Sequence, residues 1–237
     1  MRNLDFEDSI GIKFQFLDGV LTIDATNLKK GALPRLFAQT DQNNQYTDEW
    51  KFLQENTECV VIKGNISEMS YPVFQHFVKL SYLHLPESLE SLCFDFDGCT
   101  NLNKITLRAK TKIFALGNNY FRSIEVDEDN PYYTSVNGYL MSKDGKTLIV
   151  APGGLDELII PEGCEKIGQE SIYMSYKKIV IPSSASSIHE WNFYGDCGTI
   201  VLGDFDKQYE LIKKCFTRND GFKAEYQERF NRINLVR

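Results

Sequence analysis

The chain has 237 residues, of which 42% are hydrophobic and 25% are charged, a composition typical of folded domains and not of disordered chains. Its formal net charge of −7 argues against nucleic-acid binding, which requires a basic stripe, and equally against a polybasic membrane-surface role. No stretch contains the roughly 18 consecutive apolar residues of a membrane span.

The amino-terminal segment predicts a capping hairpin. Residues 1–8 lack the apolar core of a secretory signal, so we expect a cytoplasmic protein; a cell-surface or secreted location is the alternative if a leader has been removed. Residues 12–17 and 20–24 alternate around Asp18-Gly19, a typical two-residue hairpin turn. The polar run 39–48 then predicts a loop that leads to Trp50.

Seven short segments with apolar first and third residues recur along the rest of the chain. Successive starts are 23, 22, 19, 34, 21 and 21 residues apart, and an insertion accounts for the one long interval. These segments, which we call the strand triplets, occupy residues 60–62, 83–85, 105–107, 124–126, 158–160, 179–181 and 200–202. Such a period is typical of a repeat protein whose units each contribute one strand.

A second set of apolar residues keeps the same period. Three apolar positions that follow one triplet recur 21 residues later after the next, as Cys164, Ile167, Ile172 and then Ala185, Ile188, Phe193. No single unit has enough apolar surface to fold alone, so the two sets predict units that stack into a solenoid around one core. The middle residue of each triplet should face outward, because side chains alternate along a strand.

Residues 83–92, 159–168 and 179–188 share a strand ending in proline, a turn and a second apolar pair. They resemble BspA-type (Treponema-type) leucine-rich repeats, whose hallmark is an Ile-x-Ile-Pro strand, a turn, Val-x-x-Ile and a later aromatic residue. The resemblance implies a strand-dominated α/β leucine-rich-repeat solenoid with short helical turns, a β-hairpin N-cap and a helical C-cap. The family's Phe-x-x-Cys-x-x-Leu junction is matched at residues 96–102, which implies that the cysteines are packing residues.

Within the long interval, residues 127–157 form the predicted insertion. Apolar runs on either side of residues 143–146 predict a second hairpin. The resemblance extends to this insertion, although Asn137-Gly138 stands where the family usually has Asp-Gly.

Helical spacing replaces the strand pattern after residue 203. Tyr209, Ile212 and Phe216 fall on one helical face, and a break near residues 219–221 precedes a second stripe. That stripe consists of Phe222, Tyr226 and Phe230. We therefore predict an N-terminal cap over 1–57, the solenoid over 58–203 and a helical C-terminal cap over 204–237. A helix offered to a partner is the alternative reading of the last segment.

The residue types that carry chemistry form no recognisable constellation. The six cysteines are scattered without a Cys-x-x-Cys pair, and a buried free thiol behaves as a small hydrophobe. His76, His84 and His189 lack a second ligand at metal spacing. The acidic runs 95–98 and 127–130 lack the ligand spacing of a calcium loop and predict ordinary turns. We predict no catalytic residue, no cofactor and no metal.

The outward triplet residues are polar in the middle of the repeat and apolar toward its carboxy-terminal end. Exposed contiguous apolar residues usually mark contacts. We therefore predict that Ile159, Val180 and Val201 form part of a partner or self-association site, and that Tyr82 and His84 extend it. The alternative is that the insertion hairpin or the carboxy-terminal helices cover these residues.

Three functions follow from this reading, in decreasing order of support. The first is a non-enzymatic recognition module that binds protein along the solenoid face, or a glycan; the family resemblance implies a bacterial surface adhesin that contacts host or matrix protein. The second is an intracellular scaffold that forms homo-oligomers through its apolar patch. The third is an enzyme, for which no motif is present.

Overall fold

The computed structural model of the chain describes residues 3–7, 11–28, 31–32, 47–217 and 223–237. It divides into two compact units. Unit 1 comprises Met1–Phe121 with Val126–Pro131, and unit 2 comprises Arg122–Glu125 with Tyr132–Arg237. These units divide the chain within the repeat, so the boundaries of the three segments predicted from the sequence stay a prediction.

The elements of the first half of the chain are eleven strands and one helix among the described residues. In chain order they are β1 (Leu4–Glu7), β2 (Lys13–Leu17), β3 (Val20–Ala25), β4 (Gly31–Ala32), α1 (Asp48–Asn56), β5 (Cys59–Gly64), β6 (Ile66–Met69), β7 (Tyr82–His84), β8 (Ser91–Phe94), β9 (Lys104–Leu107), β10 (Lys112–Leu116) and β11 (Ser123–Val126).

Unit 1 contains two sheets of four or more strands, and its strand β9 belongs to a separate two-stranded sheet with β11. The first has the strand order β1-β2-β3-β5-β7, in which β1, β2 and β3 are antiparallel and β3, β5 and β7 are parallel. The second has the order β10-β8-β6-β4 and is parallel throughout. Apolar side chains of both sheets, such as Val60 and Leu83 from the first and Met69 and Leu92 from the second, are buried and form the core.

The elements of the second half are nine strands and two helices among the described residues. They are β12 (Tyr133–Val136), β13 (Tyr139–Ser142), β14 (Thr147–Val150), β15 (Glu157–Ile159), β16 (Lys166–Ile167), β17 (Tyr176–Ile181), β18 (Ser187–Ile188), β19 (Cys197–Leu202), α2 (Phe205–Thr217), α3 (Lys223–Arg232) and β20 (Asn234–Val236).

Unit 2 also has two sheets. One has the order β12-β13-β14-β16-β18, and the other has the order β15-β17-β19-β20 and is parallel. One cluster of buried residues joins them, with Ile167 and Ile188 from the first sheet and Leu158, Ile179 and Ile200 from the second. Helix α2 adds Ile212 and Phe216 to this cluster and so covers one part of the core.

The predicted repeat is confirmed. All seven strand triplets begin on strands, and only Leu85 and Ile160 lie one residue beyond the strand end. The first residues of the triplets are buried, while the middle residues are half-buried or exposed. The second apolar set is buried too, on short strands or in the turns beside them, where the sequence suggested short helical turns. Prolines follow several triplets because a residue without an N–H suits the end of a ladder. The amides of Leu89, Cys164 and Ala185 close turns on the carbonyls of Pro86, Pro161 and Pro182.

Two predicted hairpins are present. β2 and β3 pair around Asp18 and Gly19, whose φ angles of 47° and 82° are those of the turn that fits a twisted two-residue hairpin. β13 and β14 pair around residues 143–146. A third hairpin, between β12 and β13, turns at Asn137 and Gly138 and was not predicted. The insertion therefore forms a three-stranded meander, and β14 joins the sheet by pairing with β16.

The predicted loop over residues 39–48 is wrong at its carboxy-terminal end, since Asp48 begins α1; residues 39–46 lie outside the described residues. Thr47 caps the helix by accepting a hydrogen bond from the Trp50 amide at 3.2 Å. Trp50, Leu53 and Gln54 are buried at helical spacing, so tertiary packing stabilises a segment whose polar composition suggested a loop.

The carboxy-terminal segment is helical, as predicted, over α2 and α3, with Ile212 and Phe216 buried and Tyr209 packed against the core. The predicted break at 219–221 and Phe222 lie outside the described residues. After α3 the chain returns to the sheet as β20, which pairs in parallel with β19. The helical C-terminal segment therefore ends in a short strand that the sequence analysis did not predict.

Candidate functional site

The predicted apolar residues of unit 2 lie side by side on one sheet face. The parallel register places Ile159 of β15 beside Val180 of β17, and Val180 beside Val201 of β19. Ile159 is 57% exposed, while Val180 and Val201 are half-buried. Neither the insertion nor the carboxy-terminal helices cover Ile159, so the alternative that these elements bury it does not hold.

Strand β20 extends this face by one more residue. Its register places Val236, which is 36% exposed, beside Val201. We call Ile159, Val180, Val201 and Val236 the apolar row. At about 4.8 Å between strands, four neighbouring positions span roughly 14 Å. This is the size of the centre of a protein interface, not of a whole one.

A polar row runs along the same face two residues earlier on each strand. It consists of Glu157, Lys178, Thr199 and Asn234, which are neighbours in the same register. Lys178 lies 3.6 Å from Glu157, and Lys177 lies 3.2 Å from Asp156. These exposed ion pairs contribute little to stability. They give the apolar row a polar border, as in the rim of an interface.

Two buried tyrosines hold the strands that carry the apolar row. The Tyr139 hydroxyl accepts a hydrogen bond from the Ile159 amide at 3.0 Å, and the Tyr176 hydroxyl donates to the Pro152 carbonyl at 3.2 Å. Burial raises the pKa of both phenols, so both remain protonated and neutral at physiological pH. Tyr139 belongs to the insertion, which therefore supports the strand that presents Ile159.

The other two predicted site residues, Tyr82 and His84, lie together on β7 in unit 1, in a different sheet from the apolar row. Tyr82 is 56% exposed, and His84 is half-buried. His84 Nδ1 lies 3.1 Å from Nη2 of Arg108. Their surroundings are therefore polar and charged, unlike those of the apolar row.

The side chains that could take part in catalysis or metal binding make structural contacts. All six cysteines, each within the described residues, are free thiols, and burial raises the pKa of Cys99 to about 12 and that of Cys197 to about 11. The described residues contain no group of three or more His, Cys, Asp or Glu placed to hold a metal ion. Asp95 and Asp127 accept hydrogen bonds from the amides two residues later, which is the turn chemistry predicted for both acidic runs.

Two residues of these surfaces were missed from the sequence. Val236 belongs to a further apolar pair, Leu235-Val236, and Leu235 pairs with Ile200, 35 residues earlier. That interval resembles the 34-residue one with its insertion and could have indicated an eighth strand. Arg108 carried no periodic signal, and its contact with His84 on β7 joins residues 24 positions apart in the sequence.

Comparison with known proteins gives the following. The model of the BspA type leucine rich repeat region matches residues 37–130 and 152–234, with six copies. No curated protein matches the chain. No helix in the described part of the chain has the length and apolar character needed to cross a membrane.

Three solved structures align with 85% of the chain. A leucine-rich repeat protein from Eubacterium ventriosum ATCC 27560 is 15% identical over 73% of its own length, with a TM-score of 0.39. The pneumococcal vaccine antigen PcpA is 14% identical over 82%, with a TM-score of 0.38. A leucine rich cell surface protein from Faecalibacterium prausnitzii A2-165 is 16% identical over 76%, with a TM-score of 0.36. At these scores the three similarities carry no argument about function.

Proposed function

Because the chain belongs to the BspA-type leucine-rich repeat family, we propose that it is a non-enzymatic recognition module that binds a protein through the apolar row of unit 2. The observation that carries the proposal is the exposure of Ile159, 57%, in register with three further β-branched side chains. Parallel sheets are normally covered on both faces, so an uncovered apolar row on one of them favours a binding surface.

The energetics favour a protein partner over a glycan. Complete burial of an isoleucine side chain is favourable by about 1.5–3 kcal/mol. A partner that covers Ile159 and its half-buried neighbours therefore gains a few kcal/mol of binding free energy. The row itself has no hydrogen-bonding side chain for sugar hydroxyls, whereas apolar side chains of a protein fit it. A host or matrix protein at a cell surface is the kind of partner that we propose; an intracellular partner is the alternative.

The test replaces Val180 with Lys and uses Thr199→Lys as the matched control. Both positions are half-buried, outward and on neighbouring strands, but only Val180 belongs to the apolar row. Each chain is used to capture partners from cell lysate and from extracellular material, and thermal melting checks the fold. We expect a protein captured by the wild type and by the control to be lost with Val180→Lys. Equal capture by all three folded chains would contradict the proposal.

The second candidate function is self-association, which a short edge strand such as β20 beside an apolar row favours. Light scattering over a range of concentrations separates the two. A dimer that Val180→Lys abolishes and Thr199→Lys retains would identify a second copy of the chain as the partner. A monomer at all concentrations leaves the recognition of another protein as the function.

A further inference from the structure

A small cleft lies in unit 1 where the first sheet stops. Among the described residues this sheet ends at β7, and β9 is not its hydrogen-bonded neighbour although the repeat places it next. A cleft of about 170 Å³ lies between the two strands, along the backbone of residues 81–85. The outward side chains that line it are Tyr82, His84, Lys104, Thr106 and Arg108.

Arg108 bridges the cleft by contacting residues on its other side. Its Nε donates a hydrogen bond to the Leu85 carbonyl at 3.0 Å. The Arg108 side chain, and not a neighbouring strand, is therefore a hydrogen-bond partner of this backbone carbonyl next to the end of β7. Its Nη2 donates to His84 Nδ1 at 3.1 Å, and Nη1 lies 3.0 Å from the exposed carboxylate of Glu87. A guanidinium has five N–H groups, and these contacts use one on each nitrogen. The guanidinium is therefore fixed in place and still has N–H groups to offer.

The backbone that carries Arg108 is also fixed. Asn130 is fully buried, and its side-chain amide donates to the carbonyls of Arg108 and Thr111, both at 2.9 Å. The Thr111 amide closes the same turn on the Arg108 carbonyl at 3.0 Å. A donor whose backbone and side chain are both held in place is preorganised for an anion.

His84 adds to the donor character of the cleft. Because a guanidinium only donates, His84 must accept at Nδ1, and the ring hydrogen of the neutral imidazole then lies on Nε2. The Tyr82 hydroxyl and the Lys104 ammonium supply further donors among the lining residues. The ligand that matches this set is an acceptor with negative charge.

The charge of the surrounding segment agrees with this. Between Asp97 and Glu125 the sequence has no acidic residue, although the chain as a whole has a net charge of −7. The part of this stretch that belongs to unit 1 carries Lys104, Arg108, Lys110 and Lys112. A basic region of this kind attracts an acidic partner to a chain that otherwise repels it.

We propose that this cleft binds the carboxylate of a glutamate or aspartate side chain in an acidic peptide segment of a protein partner. The volume supports a side chain, because sites for whole small molecules usually measure about 300–1,000 Å³. The ligand carboxylate replaces Glu87 at the guanidinium of Arg108, and the donors of the cleft bind its oxygens. This proposal does not rest on the apolar row of unit 2.

The test measures the Kd of a fluorescein-labelled peptide of alternating glutamate and glycine by fluorescence anisotropy at low ionic strength. The matching glutamine peptide is the neutral probe, and we expect no binding of it. Arg108→Gln should weaken binding of the glutamate peptide roughly tenfold or more, since charge-assisted hydrogen bonds are lost. Lys104→Gln, at an exposed position, should weaken it roughly threefold. Lys51→Gln on α1 is the matched control and should change nothing.

Glu87→Gln gives the decisive result. This substitution removes the carboxylate that competes with the peptide for Arg108, so the Kd of the glutamate peptide should fall roughly threefold. Damage to the fold would raise the Kd and not lower it. Unchanged affinity in both Arg108→Gln and Glu87→Gln, or no binding by the wild type, would overturn the proposal. Binding of a galacturonate oligosaccharide without binding of the acidic peptide would overturn the assignment to a protein segment.

Discussion

The outward faces of the two units differ in one respect, the continuity of the parallel ladder. In unit 2 four strands follow one another without a break, and the outward side chains form an apolar row with a polar row beside it. In unit 1 the ladder stops at β7, and Arg108 occupies the Leu85 carbonyl beside the gap. One repeat pattern can therefore present either an apolar strip or a polar cleft: the outward residues set the polarity, and the interrupted backbone pairing leaves room for the cleft.

A fully buried asparagine lies in each unit, Asn192 in unit 2 and Asn130 in unit 1. Asn192 is fully buried and accepts from the Ile172 amide and the Ser171 hydroxyl, at 3.0 and 3.3 Å. It also donates to the carbonyls of Gly168 and His189, at 2.7 and 2.9 Å. Asn130 in unit 1 makes the two donations described above. Alanine replacements of the two residues separate the stabilities of the two units.

Asn192→Ala should have the largest effect. It leaves the buried Ile172 amide without its partner, which costs about 1–3 kcal/mol, and removes one of the donors to the Gly168 carbonyl and one to the His189 carbonyl, so the free energy of unfolding should fall by about 4 kcal/mol. Urea denaturation followed by circular dichroism measures the change. The exposed Asn103, replaced in the same way, is the control and should change stability by less than about 0.5 kcal/mol. A similar small change in both variants would show that these hydrogen bonds do not support unit 2.

Asn130→Ala should destabilise by about 2 kcal/mol, because the buried Thr111 carbonyl loses the Asn130 donor and the Arg108 carbonyl keeps only the Thr111 amide. Hydrogen exchange should show faster exchange around residues 108–111 and unchanged exchange in unit 2. The same variant should weaken binding of the glutamate peptide, because Arg108 loses its support. Faster exchange spread evenly over both units would contradict the separation of their stabilities.

The thiols of Cys99 and Cys197 should differ roughly tenfold in their rate of alkylation. Cys99 is fully buried, and its thiol contacts the Phe74 carbonyl at 2.8 Å. Cys197 is half-buried and lies in residues 193–200, which match the Phe-x-x-Cys-x-x-Leu junction of residues 96–102 with one extra residue. Burial raises the pKa of Cys99 to about 12 and of Cys197 to about 11, and raising a thiol pKa lowers the thiolate fraction at a given pH. At pH 8 Cys197 should therefore react with iodoacetamide roughly ten times faster than Cys99, or more.

Peptide mass spectrometry of a labelling time course measures both rates. Equal rates for the two thiols in the folded chain would show that the extra junction residue does not bring Cys197 closer to solvent. Labelling in urea is the control, because the unfolded chain removes the difference in burial.

The smallest effect is expected at the apolar row. Ile159→Thr removes apolar surface that is mostly in contact with water, so the free energy of unfolding should change by less than about 0.5 kcal/mol. Leu158→Thr, one residue earlier and fully buried, is the control and should cost about 3 kcal/mol. A loss of 2 kcal/mol or more for Ile159→Thr, measured by urea denaturation, would make the row a structural element instead of a docking surface.

The repeat could be predicted from the sequence because its signals are local. Alternation within each triplet, the 19- to 23-residue interval and the Asp18-Gly19 turn are all signals of short range in the sequence. Ile159, Val180 and Val201 followed directly, because outward positions of stacked strands recur with the same interval.

The elements that the sequence did not indicate depend on contacts between distant parts of the chain. Trp50 in α1 packs edge to face against Phe77, with ring centroids 5.5 Å apart, and the polar residues around Trp50 conceal the helix. Val236 joins the apolar row only because two helices return the chain to β19. The cleft is less predictable still, since no local pattern indicates that β7 lacks a neighbour on one side.

Strand β20 has three residues and pairs with one neighbour, so it should open more often than the strands inside its sheet. The length of the apolar row then fluctuates between four positions and three. A partner that contacts Val236 binds only the closed form, and its apparent affinity is reduced by the fraction of chains in which β20 is open. The affinity of this surface is therefore set partly by the local stability of its last strand, which substitutions in β20 can adjust without altering the contact itself.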